Sequence, residues 1–408
     1  MTHCNAAPSP SWKIVFIALF LGVFQVFSVQ KKILAQSQLA NPLKTKIDPS
    51  ELVIPSAYGQ RELSSFEKYR IEKTIAELNQ TAKAQLKQGN QDRAFELWYR
   101  QLKLTRAINA ATEIQALGEV GAIAWQENRG PDVRNIAERL IQLEAEITAK
   151  TPLSLDLLNR FATAYQQVRY LDRGINVQIK ITKISRRIDN YNLTVEQENL
   201  EVLGELYLAK FDYQNAVKIY QTLLSFTDTE QAKLQPKNKA GLYLKTLVDI
   251  YDRTVQIDQA IATKQRLIEH YALSKQPEKI AELEIAIAQD YETLNQKERA
   301  VEAYNRAFAI ASRIQRLATA NDALTKLAEL YQNGGRVNEA IAAYTKLLDI
   351  QQQSYDYYSL IDTYDALGKI YLKLEQPEQA KYYFQQGLKL AQTLNYKVAY
   401  FNQQLGRF

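Results

Sequence analysis

The residue types that most often do chemistry are scarce in this chain. Its 408 residues include one cysteine, Cys4, two histidines, His3 and His270, and a single methionine. Zinc, iron–sulfur, haem and thiol chemistry draw on clusters of Cys, His or Met, and this set is too small to build one. A Ser-His-Asp arrangement would have to use His3 or His270, and the sequence has no GxSxG, no HExxH and no Gly-rich phosphate loop. Neither a metal nor an organic cofactor is expected. What remains is carboxylate: 45 Asp and Glu side chains. Facing pairs of them could act as acid and base on an (α/α) toroid, although such sites rest on elaborated loops and aromatic platforms. Beyond the N-terminal segment the tryptophans are Trp98 and Trp125 alone. The other use of carboxylates is a charged surface for a partner.

The elements that must position these groups are helices. An average chain of this length would hold roughly 29 Gly and 20 Pro, at about 7% and 5%; here there are 14 and 10. Half the usual number of turn formers argues against sandwiches and barrels and for long helices on short turns. Self-similarity then fixes the arrangement. The segments Leu203-Gly204-Glu205-Leu206-Tyr207, Leu247-Val248-Asp249-Ile250-Tyr251, Ile287-Ala288-Gln289-Asp290-Tyr291, Leu327-Ala328-Glu329-Leu330-Tyr331 and Leu367-Gly368-Lys369-Ile370-Tyr371 align. Nine residues after each Tyr stands Ala216, Ala260, Ala300, Ala340 or Ala380, and four further on Tyr220, Lys264, Tyr304, Tyr344 or Phe384. The tyrosines are 44, 40, 40 and 40 residues apart.

This pattern resembles the tetratricopeptide repeat, in a 40-residue form like that of kinesin light chain. The resemblance implies an all-α fold: an α-solenoid in which helical hairpins stack into a right-handed superhelix. Strong copies span about 197–394. Weaker ones fill 64–196, around Ala82…Trp98, Leu117-Gly118…Gly121 and Phe161…Tyr165…Gly174. Residues 395–408 are expected to cap the stack, with Leu394–Leu405 helical in pattern. Small residues three before each Tyr should let helices approach closely. Gly89, Gly334 and Gly335 should end helices in left-handed turns, and Pro277 and Pro377 should sit at helix starts or connections. The tyrosine stripe belongs to the core, whereas Tyr357, Tyr358, Tyr382 and Tyr383 fall partly off it. Ser64 and Glu67 fit a capping box that opens the first helix.

In the family, first helices line a groove. Carrying its groove offsets onto this sequence marks Glu198, Glu201 and Glu205; Lys245, Asp249, Asp252 and Arg253; Glu282, Gln289 and Glu292; Asp322, Thr325, Glu329, Gln332 and Asn333; and Asp362, Asp365, Lys369 and Lys373. Eleven are acidic and four basic, so a chain of net charge +6 is expected to present an acidic groove. The partner implied is another protein offering an extended basic or polar segment. The function expected is a non-enzymatic scaffold or assembly factor. The alternatives are an adaptor or sensor using the same groove, or the toroid enzyme. Nucleic acid is not expected, because the one basic cluster, Lys180–Arg187, reads as a solvated helix face.

Residues Ile14–Val29 form an apolar run after Lys13, followed by Ile33-Leu34-Ala35. The layout is that of a secretory signal or N-terminal anchor over residues 1–35, which places the protein outside or on a membrane, with the cytoplasm as the alternative. Cleavage after Ala35 would remove three Lys, leaving 48 − 45 = +3. Residues 36–63, with Pro42, Pro49 and Pro55, read as a linker.

Overall fold

A computed structural model describes residues 41–44, 61–187, 192–227 and 239–408. The apolar run 14–29, Cys4, His3 and most of the expected linker lie outside them. Among the described residues there are seventeen α-helices and no strand, and no helix is long and apolar enough to cross a membrane. The all-α solenoid of stacked hairpins is therefore the observed fold. The chain forms two compact units, residues 1–211 and 212–408, and the boundary runs through the first of the five strong repeats.

The first unit holds α1 (Ser65–Lys87), α2 (Gln91–Thr105), α3 (Ala110–Gln126), α4 (Gly130–Thr148), α5 (Leu155–Gln167), α6 (Leu171–Ser185) and α7 (Leu193–Ala209). The capping box is present: the Glu67 amide donates to Ser64 Oγ at 3.3 Å, and the Ser64 amide to Glu67 Oε2 at 2.8 Å. First helices α3, α5 and α7 likewise start on side-chain caps, from Asn109, Ser154 and Asn192. Small residues work as expected: a Cβ on Gly118 would lie 3.0 Å from the Ala164 Cα, so α3 and α5 meet backbone to backbone. Part of the segment read as a linker is not free. Leu43 is buried in the core with Trp98 and Phe161, its carbonyl accepts from Arg106, and Asn41 donates to the Asn135 carbonyl.

The second unit holds α8 (Tyr213–Thr227), α9 (Ala240–Arg253), α10 (Ile257–Leu273), α11 (Pro277–Thr293), α12 (Lys297–Arg313), α13 (Leu317–Asn333), α14 (Val337–Gln353), α15 (Tyr357–Lys373), α16 (Pro377–Leu394) and α17 (Val398–Leu405). Helices α10 to α15 are each 17 residues long. Left-handed residues fall at 255, 275, 295, 315, 335, 355, 375 and 395, every twenty positions. After each, the next amide bonds to a carbonyl five residues back, as Gln256 to Tyr251 at 2.9 Å and Arg336 to Tyr331 at 2.9 Å. This is the Schellman closure, so the 40-residue repeat is two equal helices and two equal turns. Only Gly335 among these positions is glycine; Gly334, expected to be left-handed, has φ −83° and ends the helix in an ordinary conformation. Gly89 is left-handed as expected. Pro277 and Pro377 open α11 and α16. The expected helix from Leu394 instead begins at Val398, after a turn with Asn395 and Lys397 both left-handed.

Core positions follow the repeat. Ala260, Ala300, Ala340 and Ala380 are buried, as are Tyr304, Tyr344 and Phe384. Gly368 makes room for Phe384, whose ring would lie 2.6 Å from a Cβ there. Gly387 does the same for Phe401, the residue by which α17 covers the last hairpin. Tyr357, Tyr358 and Tyr382 are exposed. His270, near the end of α10, lays its ring against Gly241 of α9.

Candidate functional site

The repeat brings first helices α11, α13 and α15 to one cleft of about 550 Å³ in the second unit. Of the groove residues marked by sequence, Gln289 of α11, Asp322, Thr325 and Glu329 of α13, and Asp362 of α15 all line it. The lining holds three carboxylates, Asp322, Glu329 and Asp362, and one cation, Lys326, whose ammonium pairs with Glu329 at 3.0 Å. Asp322 makes no ion pair among the described residues and is exposed. The cleft is thus acidic and polar, with Ile285, Ala366 and the Tyr344 ring as its apolar parts.

Besides Lys326, four polar residues that sequence reasoning did not mark line it: Asn321, Gln351, Ser359 and Thr363. Gln351, 2% exposed, reaches from α14, donates to Asn321 Oδ1 at 2.9 Å and accepts from the Thr363 hydroxyl at 2.8 Å. One carboxamide thereby ties α13, α14 and α15 together. The visible signal was positional: forty residues before and after it stand Ala311 and Ala391.

Other marked residues are already engaged. Lys264 stands where other repeats carry an aromatic ring. Its ammonium bonds to Asp252 at 2.9 Å and Asp290 at 2.8 Å. Burial pulls this lysine's pKa down, but the two carboxylates outweigh it, so the charged form is held more firmly than usual. One repeat later the Tyr304 hydroxyl donates to Glu292 at 2.5 Å, and one further the Tyr344 hydroxyl donates to Gln332 at 2.9 Å. Asp252, Glu292 and Gln332 are the same register position, in the last turn of a first helix, and each holds the second helix of its own hairpin. Burial pushes the Tyr344 hydroxyl up to about 12, and burial with the Glu292 contact raises Tyr304 as well.

Asp365 accepts from Lys369 at 2.6 Å and from the Tyr400 hydroxyl at 2.7 Å, which ties α15 to α17. Asn333, Lys245, Asp249, Arg253, Glu282 and Lys373 are exposed and do not line the cleft. Glu198, Glu201 and Glu205 lie on α7 of the first unit, the outer two exposed and Glu201 half-buried.

The first unit buries several carboxylates, as the second buries Glu284 against Arg306 at 2.8 Å. Glu113 is buried between Arg139, at 2.7 Å, and Arg106, at 3.1 Å. Buried Glu144 accepts from Tyr165 and pairs with Lys180 at 3.2 Å, and buried Glu196 accepts from Arg186 at 2.6 Å. Two cations of the basic cluster Lys180–Arg187 are therefore partners of buried acids. Among the described residues no group of three Asp, Glu, His or Cys could hold a metal ion.

The fold and site together define an array of helical hairpins with a polar groove on its first helices. Residues 319–393 match the family model of the tetratricopeptide repeat. Among solved structures the chain is similar to BtubC (BKLC) from P. vanneervenii, with 21% identity, 55% of this chain and 92% of that one covered, and a TM-score of 0.35. It is similar to kinesin light chain TPR-like repeats from Podospora anserina, at 20% identity, 48% and 95% coverage and a TM-score of 0.34. A signal transduction ATPase with a tetratricopeptide repeat sensor from Pyrococcus horikoshii shows 17% identity, 78% and 48% coverage and a TM-score of 0.37. No curated protein matches the chain in sequence.

Proposed function

We propose that the chain is a non-enzymatic scaffold or assembly factor whose cleft on α11, α13 and α15 holds an extended segment of another protein rich in basic and polar side chains. One observation carries this reading: Asp322, Glu329 and Asp362 converge with Asn321, Gln289 and Thr325 on a single cleft. Carboxylates attract and orient cations, while carboxamides and hydroxyls can bond the backbone of a chain that has no partner strand. The apolar run 14–29 supports action outside or on a membrane; recovery of only full-length protein in the soluble cytoplasmic fraction would count against that part.

The test is binding of a synthetic alternating Lys-Ser peptide to the full chain. Reversing charge in the cleft, Asp322→Lys with Glu329→Lys, should weaken binding at least about tenfold, equivalent to about 1.4 kcal/mol. Asp349→Lys, on the exposed side of α14, should change it little. Equal loss in both variants would contradict the reading.

A further inference from the structure

One carboxylate of the cleft, Asp362, already holds a cation from outside its lining. The Lys397 ammonium lies 2.5 Å from Asp362 Oδ1 and 5.1 Å from the centroid of the Tyr396 ring. Exposed Tyr358 stands edge-on to Tyr396, with centroids 5.2 Å apart. A carboxylate beside an aromatic face is a seat for an ammonium or guanidinium group. Asp362 lines the cleft, so the same carboxylate faces any segment lying in it. Resting on the reading of that cleft as a binding groove, we propose that Lys397 is an internal stand-in for a partner's basic side chain, and that the partner binds at Asp362 by displacing it.

Three features make Lys397 displaceable. The side chains of the pair remain 38% and 57% exposed, and ion pairs in such surroundings contribute about 0–1 kcal/mol. Lys397 sits in the three-residue joint between α16 and α17 with φ +55°, a conformation that a lysine adopts at a cost. The cap does not depend on it, because Phe401 is fully buried over Gly387 and Tyr400 bonds Asp365. Asp365 is the contrasting case. Lys369 holds it from one turn along the same helix, and the Tyr400 hydroxyl holds it as well, so it stays engaged when Asp362 is released. The exchange is cation for cation at one carboxylate, and the structure supplies the charge the partner must bring.

Fluorescence anisotropy of a labelled alternating Lys-Ser peptide on the full chain tests this. Lys397→Ala should tighten binding several-fold, Asp362→Asn should weaken it, and in the Asp362→Asn background Lys397→Ala should have no effect. Lys389→Ala removes the same charge from an exposed position on α16 and should leave binding unchanged. An equal gain in Lys389→Ala, or no gain in Lys397→Ala while the wild type binds, overturns the displacement and leaves the groove intact. Binding by no variant overturns the groove reading, and the displacement falls with it. An alternating Glu-Ser peptide that binds as well as the Lys-Ser peptide does the same.

Discussion

The two units are built from one hairpin plan and stabilised in different ways. In the second, helices α10 to α15 are of equal length and alternate with equal Schellman turns, and small-residue contacts such as Gly368 against Phe384 set the helix spacing. In the first, the left-handed residues among those described, at 89, 128, 169 and 211, all follow first helices. The other connections are longer, and the next helix starts on a side-chain cap. Its interior also encloses four acidic side chains, Glu113, Asp132, Glu144 and Glu196, where the second unit buries Glu284 against Arg306 and Lys264 against Asp252 and Asp290. A buried ion pair is sensitive to loss of one partner yet adds little net stability, whereas close packing adds stability and tolerates little added volume. The comparison teaches that a repeat can drift from its apolar signature when charges are matched inside it. The regular repeats bury fewer acidic side chains, Glu284 among them, and keep Asp322, Glu329 and Asp362 on the lining of one cleft.

The largest expected effect tests the first half of that contrast. Glu113→Ala would take from Arg139 and Arg106 the buried carboxylate they share, leaving Arg139 to Glu146 and Arg106 to the Leu43 carbonyl, and should cost about 3 kcal/mol, read by chemical denaturation. A loss under about 1 kcal/mol would show that the cluster is not an internal strut. Next is the second unit's packing. Gly368→Ala places a methyl against the Phe384 ring and should cost about 1–3 kcal/mol, with the C-terminal helices losing hydrogen-exchange protection first.

The register position shared by Asp252, Glu292 and Gln332 gives a pH-dependent prediction. Tyr344 is held neutral in the fold, with its pKa pushed up to about 12. Its contribution is complete below the unfolded value near 10 and is lost as pH rises through that window. Tyr344→Phe should cost about 0.5–1.5 kcal/mol at neutral pH through the Gln332 bond, and should then lose less than wild type on going from pH 10 to 12. A steeper alkaline loss in the variant would contradict the assignment. The smallest effect concerns the turns. Val255 is β-branched at φ +56°, so Val255→Gly should stabilise the second unit by up to about 1 kcal/mol, measured as a raised denaturation midpoint.

Much of the architecture was legible because it rests on short-range rules. The Tyr, Ala and aromatic positions at fixed spacing located the hairpins of the second unit. Ser64 and Glu67 located the first helix start. The twenty-residue turn cadence was not legible, because Val255, Gln315, Tyr355 and Glu375 occupy left-handed positions where glycine would have signalled them. The weak signature of residues 64–196 has a physical cause, since buried charged partners such as Glu113 and Arg139 share its interior with the apolar core. For the groove, the offsets marked Gln289, Asp322, Thr325, Glu329 and Asp362, which line one cleft, since side chains on an exposed helical stripe stay on one face. They could not show that Asp252, Glu292 and Gln332 bond the second helix of their own hairpins, nor that Gln351 enters from α14. Lys264 was visible as a departure from the aromatic position, but not its two carboxylate partners.

The most direct test of the central claim is hydrogen–deuterium exchange of the full chain with and without the alternating Lys-Ser peptide. The account predicts new protection on α11, α13 and α15, weakening as salt is raised, with α10 and α12 unchanged. Protection absent from those three helices, or confined to α10 and α12, would contradict it.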